Sequence, residues 1–308
     1  MDPRDEQGKI WMNGEFVDWL DAKVHVMSHV LHYGTSVFEG MRCYKTPKGP
    51  SIFRLRDHIQ RLFDSATIYN IPIPYTKDEI IDACKRTIKI NGLESAYVRP
   101  IVYRGYHSLG VDPTQCPVEV AIGALNWGKY LGDEGITKGV DVRVSSWHRM
   151  APNTMPTLAK VGANYMSSQL IRMEANADGY TEGIGLDTFG FVSEGSGENI
   201  FVIRDGTLYT PTLDSSILPG LTRDCVIKIA AEFDIPVVQM RIQREMLYIA
   251  DEIFFTGTAA EVTPIRSIDK RTIGKGERGP ITEKIQTRFF DYITGEREDK
   301  YGWHDYIK

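Results

Sequence analysis

The chain has 308 residues, long for one typical domain and ordinary for two. Hydrophobic residues make up 42% and charged residues 25%, a globular balance that excludes disordered and fibrous classes. Lys and Arg total 36 against 41 Asp and Glu, a net charge of −5; this speaks against a generic polyanion binder, which needs massed cations, but leaves room for a small anionic ligand.

The polar opening Met1–Glu6 has no signal-peptide core behind it, and no apolar run reaches the roughly 18–20 residues of a membrane span. Cys43, Cys84, Cys116 and Cys225 are scattered, with no C-x-x-C pair, and read as reduced, mostly buried thiols. A cytoplasmic protein is expected.

In chain order, Ile10–Val17 is strand-like around a hairpin-prone Asn13-Gly14. Ser51-Ile52-Phe53 forms a short strand that leads into a helix from Arg56. There Ile59, Leu62, Phe63, Ala66 and Tyr69 recur at helical spacing until Pro72 and Pro74. Thr76 and Glu79 make a capping box for the next helix, whose stripe is Ile80, Ile81, Cys84, Ile88 and Ile90. Strands are expected at 96–103 and 118–122. The glycine- and aromatic-rich stretch 126–132 follows as a candidate linker, which suggests a small domain over 1–125, a loop over 126–137 and a large domain over 138–308.

Val140–Val144 alternates like a strand, prolines punctuate 151–157, and a helix is expected from about Ala163 to Ala177. Short strands follow at 183–187, 199–203 and 208–209. Leu218–Asp224 opens a helix with Val226, Ile229, Ala230 and Phe233 on its apolar stripe. Strands and helices mix without strict βαβ alternation, which favours two α+β domains over one doubly wound sheet.

Two apparent motifs are weak. Gly274-Lys275-Gly276-Glu277-Arg278-Gly279 fits G-x-G-x-x-G, but the residues before it are polar and Pro280 follows, so a surface turn is expected. His25, His29 and His32 could share a helix face, yet no carboxylate or thiolate lies nearby to complete a metal shell. They read as packed or hydrogen-bonded histidines, and no metal is expected.

Four stretches carry more. They are His32-Tyr33-Gly34-Thr35-Ser36-Val37-Phe38-Glu39-Gly40; Thr157-Leu158-Ala159-Lys160 with Asn164-Tyr165; Ser193-Glu194-Gly195-Ser196-Gly197-Glu198-Asn199; and Thr256-Gly257-Thr258-Ala259-Ala260-Glu261. Together, and in this order, they resemble the branched-chain amino-acid aminotransferases among the class IV enzymes dependent on pyridoxal 5'-phosphate. The likeness runs from about Ile10 to the end of the chain.

The resemblance implies the two-domain α+β class IV fold and roles for particular residues. Lys160 matches the lysine that bonds the cofactor and shuttles the substrate proton, and its apolar neighbours suit an amine kept neutral by desolvation. Glu194 matches the carboxylate that keeps the cofactor's ring nitrogen protonated, and Tyr165 the tyrosine near the ring hydroxyl. Arg61 matches the phosphate arginine. Leu218, Gly220, Leu221 and Thr222, at a helix start, form a second phosphate cradle, and Gly257 and Thr258 a third.

For substrate, Tyr97 and Arg99 in Tyr97-Val98-Arg99-Pro100 resemble the branched-chain signature: the arginine meets the glutamate side-chain carboxylate and the tyrosine assists at the α-carboxylate. Tyr33, Phe38 and Tyr130 correspond to aromatic walls beside Gly40, and Thr258 and Ala259 to donors for the α-carboxylate. Gly110-Val111-Asp112-Pro113 and Phe38-Glu39-Gly40-Met41-Arg42 favour this group over D-amino-acid aminotransferases, R-selective amine transaminases and aminodeoxychorismate lyase. A non-catalytic homologue is disfavoured because Lys160 and Glu194 are both present.

The implied reaction is ping-pong transamination of leucine, isoleucine and valine with 2-oxoglutarate, as the last step of their biosynthesis or the first of their degradation. The implied partners are these small molecules and further copies of the chain, in a homodimer or larger, with the site between domains and completed by a neighbouring subunit.

Overall fold

The computed structural model describes residues 7–128, 131–132 and 134–307. Met1–Glu6 and Tyr130 lie outside the described residues. The chain divides into two compact units, and the division is not linear. The first unit comprises Met1–Trp127, Ala159–Ala163 and Tyr292–Lys308, and the second Gly128–Leu158 and Asn164–Asp291. A single split of 1–125 from 138–308 does not anticipate that the Lys160 segment and the chain end belong with the first unit.

The first unit begins with β1 (Lys9–Met12) and β2 (Glu15–Asp18). Asn13 and Gly14 both take positive φ, 50° and 99°, which closes a hairpin with the right-handed twist of its strands. Then come α1 (His29–Tyr33), β3 (Ser36–Phe38), β4 (Met41–Thr46), β5 (Gly49–Phe53), α2 (Leu55–Ile68), α3 (Lys77–Ile90), β6 (Ala96–Arg104) and β7 (Val118–Leu125). The capping box forms as expected: Thr76 Oγ1 accepts from the Glu79 N–H, and the Thr76 N–H donates to the Glu79 carboxylate at 2.7 Å. Leu55, Ile59, Leu62 and Ala66 of α2 and Ile80, Cys84 and Ile88 of α3 join one buried core with Val98, Val102, Val120 and Ile122 of the sheet.

The strands of this sheet run β5-β4-β6-β7-β1-β2, all antiparallel. Strand β6 carries two partners on one side. β4 pairs through Met41↔Val98 and Arg42↔Tyr97, and β3 through Phe38↔Ile101 to Ser36↔Tyr103. Glu39 and Gly40 are the break between them, where the Glu39 N–H donates to Pro100 O at 3.0 Å. The Ala159–Ala163 segment lies along the same edge: Val161 bridges Val37, and the Phe38 N–H donates to Lys160 O at 3.1 Å.

The second unit holds α4 (Gly135–Lys138), β8 (Val140–His148), α5 (Tyr165–Ala177), β9 (Glu182–Leu186), β10 (Phe191–Gly195), β11 (Asn199–Arg204), β12 (Thr207–Thr210), α6 (Leu221–Ala231), β13 (Val237–Gln239), β14 (Ile242–Gln243), β15 (Glu252–Gly257), β16 (Glu261–Ile268), β17 (Arg271–Thr272) and α7 (Pro280–Ile293), whose last two residues count with the first unit. Its sheet runs β13-β12-β11-β15-β16-β8-β9-β10-β14. β8 is parallel to β9 and β16, β12 is parallel to β13, and the remaining neighbours on this path are antiparallel. Ile200–Ile203 on β11 and Ile253–Phe255 on β15 are buried without alternation, as strands covered on both faces must be.

Gly274–Gly279 is a turn, with Gly274 and Gly276 at φ +52° and +76°. The turn ends at Pro280, which as the first residue of α7 starts a helix, a place where its missing N–H is no loss. Back in the first unit, β18 (His304–Tyr306) pairs antiparallel with β5. Among the described residues no helix is long and apolar enough to cross a membrane.

Candidate active site

In the first unit, Lys160 sits between the buried Ala159 and Val161. Its main chain is anchored on both sides: its N–H donates to Ser65 Oγ at 2.9 Å, and its carbonyl accepts from Phe38. The side chain therefore leaves from a fixed root. Lys160 Nζ lies 5.0 Å from the Phe38 ring centroid, and Arg99 Cζ lies 4.9 Å from the same centroid. One aromatic ring thus has both an amine and a guanidinium within cation–π distance.

Arg99 Cζ is also 5.1 Å from the Tyr97 ring. Tyr97 is buried and meets Trp127 edge to face, with centroids 4.6 Å apart. Trp127 is in turn held by its carbonyl, which accepts from Arg42 Nη1 at 3.2 Å. Gly40 is needed beside this wall, since a Cβ there would fall 1.8 Å from the Tyr97 hydroxyl.

Beneath this wall, Glu39 is fully buried. Arg61 grips it as a fork, Nε to Oε1 at 2.6 Å and Nη2 to Oε2 at 2.9 Å. His58 Nδ1 lies 2.7 Å from the same Oε2. Burial alone would raise the Glu39 carboxyl, but Arg61 and His58 outweigh it and hold the group far below the usual carboxylate range. Burial also lowers His58; Glu39 opposes the shift, and Arg61 and Lys160 add to it. With Glu39 ionised and His58 neutral, the Nδ1 hydrogen points at the carboxylate.

Tyr33 is exposed: its hydroxyl donates to Leu109 O at 2.8 Å and its ring stacks on His29. His29 is itself buried and bonded to Thr35 Oγ1 and Gly110 O at 2.9 Å each, and His32 reaches Val26 O at 3.0 Å. The histidines are thus engaged with neighbouring oxygens.

In the second unit, Glu194 lies near the end of β10, just past a register shift that begins at Val192. Such a bulge re-aims the side chain that follows it. Arg149 Nη2 donates to Glu194 Oε1 at 2.8 Å, while Asn199 Nδ2 and the Leu218 N–H each donate to Oε2 at 3.0 Å. A buried carboxylate thus has a guanidinium to balance its charge and two further donors to fix its plane.

Asn199 also donates to Leu218 O at 2.9 Å. A Cβ on Gly220 would lie 1.8 Å from Asn199 Oδ1, so only glycine fits at the start of α6. Gly220 caps that helix without a side-chain hydrogen bond, and Leu221 and the buried Thr222 follow in its first turn. Thr256, the ladder partner of Asn199, is followed directly by Gly257 and the turn residues Thr258 and Ala259. Tyr165 begins α5, and one turn on Ser168 Oγ accepts from Arg149 Nη1 at 3.0 Å.

Glu198 is buried beside these groups. Burial, with Glu182 and Glu194 nearby, pushes its carboxyl well above the ordinary value of 4.5. Gly197 N–H donates to Oε2 at 3.0 Å, and Oε1 has no hydrogen-bond partner among the described residues.

The first unit therefore gathers Phe38, Gly40, Arg61, Tyr97, Arg99 and Lys160, and the second gathers Glu194, Leu218 and Gly220. Sequence reasoning passed over Glu39, His58, Trp127, Arg149 and Asn199. Glu39 and Asn199 stood inside the quoted motifs; nothing in the chain pairs Arg149 with a carboxylate 45 residues away.

Residues 36–268 match the model of the amino-transferase class IV family. The chain is 54% identical over 299 residues to the branched-chain-amino-acid aminotransferase of Escherichia coli strain K12, which covers 97% of each chain. The crystal structure of an E. coli branched-chain amino acid aminotransferase superposes with a TM-score of 0.97 at 54% identity, over 98% of this chain and 100% of that one. The branched-chain amino acid aminotransferase of T.th., solved with pyridoxamine 5'-phosphate, gives a TM-score of 0.95 at 48% identity. The same T.th. enzyme complexed with N-(5'-phosphopyridoxyl)-L-glutamate gives 0.94 at 46%; each covers 98% of this chain and 99% of its own.

Proposed function

The chain belongs to the amino-transferase class IV family, and on that premise we propose that it is a pyridoxal-phosphate-dependent branched-chain-amino-acid aminotransferase. Leucine, isoleucine and valine are the amino donors, and 2-oxoglutarate the acceptor that leaves as glutamate, in two half-reactions of a ping-pong cycle. The observation that carries the reading is the Phe38 ring with the Lys160 amine at 5.0 Å and the Arg99 guanidinium at 4.9 Å. A nucleophile and an anion-binding group share one apolar wall.

The residues fit the cofactor. Glu194, buried and oriented by Arg149, Asn199 and Leu218, offers a carboxylate to a ring cation. The glycine-only start of α6 offers backbone N–H groups and the positive helix end to a phosphate dianion. Arg61, with Nη1 outside the Glu39 fork, adds a guanidinium, and Gly257 and Thr258 add a turn. Tyr165 serves the ring hydroxyl. When bound, the cofactor supplies a reactive aldehyde and an electron sink for charge developing at the substrate α-carbon.

Lys160 would hold the cofactor through Nζ, and the same amine, freed, would take and return the substrate's α-proton. Phe38, Gly40 and Tyr97 bound an apolar wall that rewards each buried methylene of leucine or valine by about 0.8 kcal/mol. Arg99 pairs with the side-chain carboxylate of glutamate in the other half-reaction, and Thr258 and Ala259 hold the α-carboxylate. The glutamate-bearing phosphopyridoxyl compound bound by the T.th. relative supports glutamate as a substrate.

A homodimer or larger assembly fits an exposed apolar surface on the first unit. Val26, Leu31, Tyr33, Tyr106, Leu109 and Val111 are all exposed there, on segments tied together by the Tyr33–Leu109 bond and His25–Tyr106 stacking. Four buried free cysteines suit a reducing, cytoplasmic setting. The direct test is a substrate panel on the purified protein with 2-oxoglutarate as acceptor. Glutamate is expected with leucine, isoleucine and valine, together with an absorbance band near roughly 410–430 nm that borohydride bleaches. A colourless protein that pyridoxal phosphate cannot reconstitute overturns the reading.

A further inference from the structure

Glu39 has no part in the chemistry above, yet it is fully buried at the break between β3 and β4. A carboxylate in such a place is retained only if its surroundings replace its water shell. Arg61 supplies two donors and His58 one, and the Gly40 N–H approaches Oε2 at 3.3 Å. These donors converge from two directions: His58 and Arg61 from successive turns of α2, and Gly40 from the strand break. The break is itself fastened, Glu39 N–H to Pro100 O and Phe38 N–H to Lys160 O.

Fork geometry matters here. A guanidinium gripped through Nε and Nη2 has its plane and long axis fixed, so Nη1 has a set direction. Without the grip, the arginine side chain keeps several rotatable bonds, and a displacement of about 1 Å in a positioning group is worth up to about a hundredfold in what it positions.

We infer that Glu39 is a positioning residue, a buried anchor that aims Arg61 at the cofactor phosphate and ties that arginine to the Phe38–Gly40 wall. This rests on the proposed cofactor role of Arg61. His58 is the second support, as a neutral donor that holds the Glu39 carboxylate square to the fork. One side chain thus joins the phosphate group to the substrate wall.

The test compares the affinity of apoprotein for pyridoxal phosphate with its affinity for pyridoxal, which lacks the phosphate, by absorbance titration. Wild type should bind the phosphorylated form far more tightly; a wild type without that preference overturns the cofactor reading itself. Glu39→Gln keeps the volume but removes the charge. It should cut the phosphorylated-to-unphosphorylated preference by about tenfold to a hundredfold while pyridoxal binding holds within about twofold. A general packing defect would weaken both ligands alike, and that result, or an unchanged preference, overturns the inference. Should the Gln variant lose its circular dichroism, Glu39→Asp, which keeps the charge but shortens the reach, gives the same comparison, with a smaller loss of preference expected and an unchanged preference again fatal.

Discussion

A Cβ built on Gly40 lies 1.8 Å from the hydroxyl oxygen of Tyr97 and 2.5 Å from its Cζ. Tyr97 is buried with Trp127 edge-on against it, and Trp127 is held by Arg42, so the ring has little room to retreat. Gly40→Ala should therefore displace the Tyr97 ring, raise the KM for leucine about tenfold and lower stability by about 1–3 kcal/mol. Steady-state kinetics and thermal melting check this; a variant with wild-type KM and melting temperature shows that the wall yields freely.

Arg99 stands within cation–π distance of both Phe38 and Tyr97. Its charge should matter for a dicarboxylate and little for an apolar substrate. Arg99→Gln is expected to lower kcat/KM for 2-oxoglutarate by about 10- to 100-fold and for leucine by less than about fivefold, since a charged hydrogen bond is worth about 1.5–3 kcal/mol. Equal losses would remove Arg99 from glutamate recognition.

The Lys160 main chain holds its place through Ser65 Oγ and the Phe38 N–H, and neither contact uses its side chain. Lys160→Ala should thus melt within about 1 kcal/mol of wild type yet lose turnover by a factor of about 1,000 or more. Near-normal turnover in this variant would move the chemistry to another residue.

Glu198 offers a pH test. Its folded pKa stands above the unfolded value of 4.5, so the stability from its proton is fully present below 4.5 and fades as pH rises toward the folded value. Glu198→Gln keeps a neutral side chain at every pH. The melting temperature of the variant relative to wild type should therefore climb as pH rises from 4.5 upward. A difference that stays flat across that range shows Glu198 already ionised in the folded protein.

What the sequence disclosed follows the reach of each interaction. The Thr76–Glu79 capping box spans three residues and was readable as written. So was the Asn13-Gly14 hairpin. Helix α7 was not read: the glycine-rich turn and the proline that closes it drew the eye away from the helix that Pro280 begins. The Lys160 segment joins the first unit through the Val37–Val161 bridge, a pairing across more than a hundred residues that no local pattern encodes. Glu39 was hidden for a different reason. A glutamate reads as solvated until Arg61 and His58, 22 and 19 residues on, are seen to close over it. The order of the four motifs singled out Lys160 and Glu194; the groups that hold them, Ser65, Arg149 and Asn199, were legible only in three dimensions.

The pairing of β18 with β5 brings His304 against Ser51, 253 positions earlier, and Ile307 packs on the first unit's core. A ribosome delivers the chain from its amino end, at roughly 5–20 residues per second. The first sheet thus emerges early but waits, with β5 as a bare edge, until β18 is made. Nascent chains stalled anywhere before about residue 300 would expose that edge to other chains, a known route to misassembly. Removing β18 would leave the same edge bare in the finished fold.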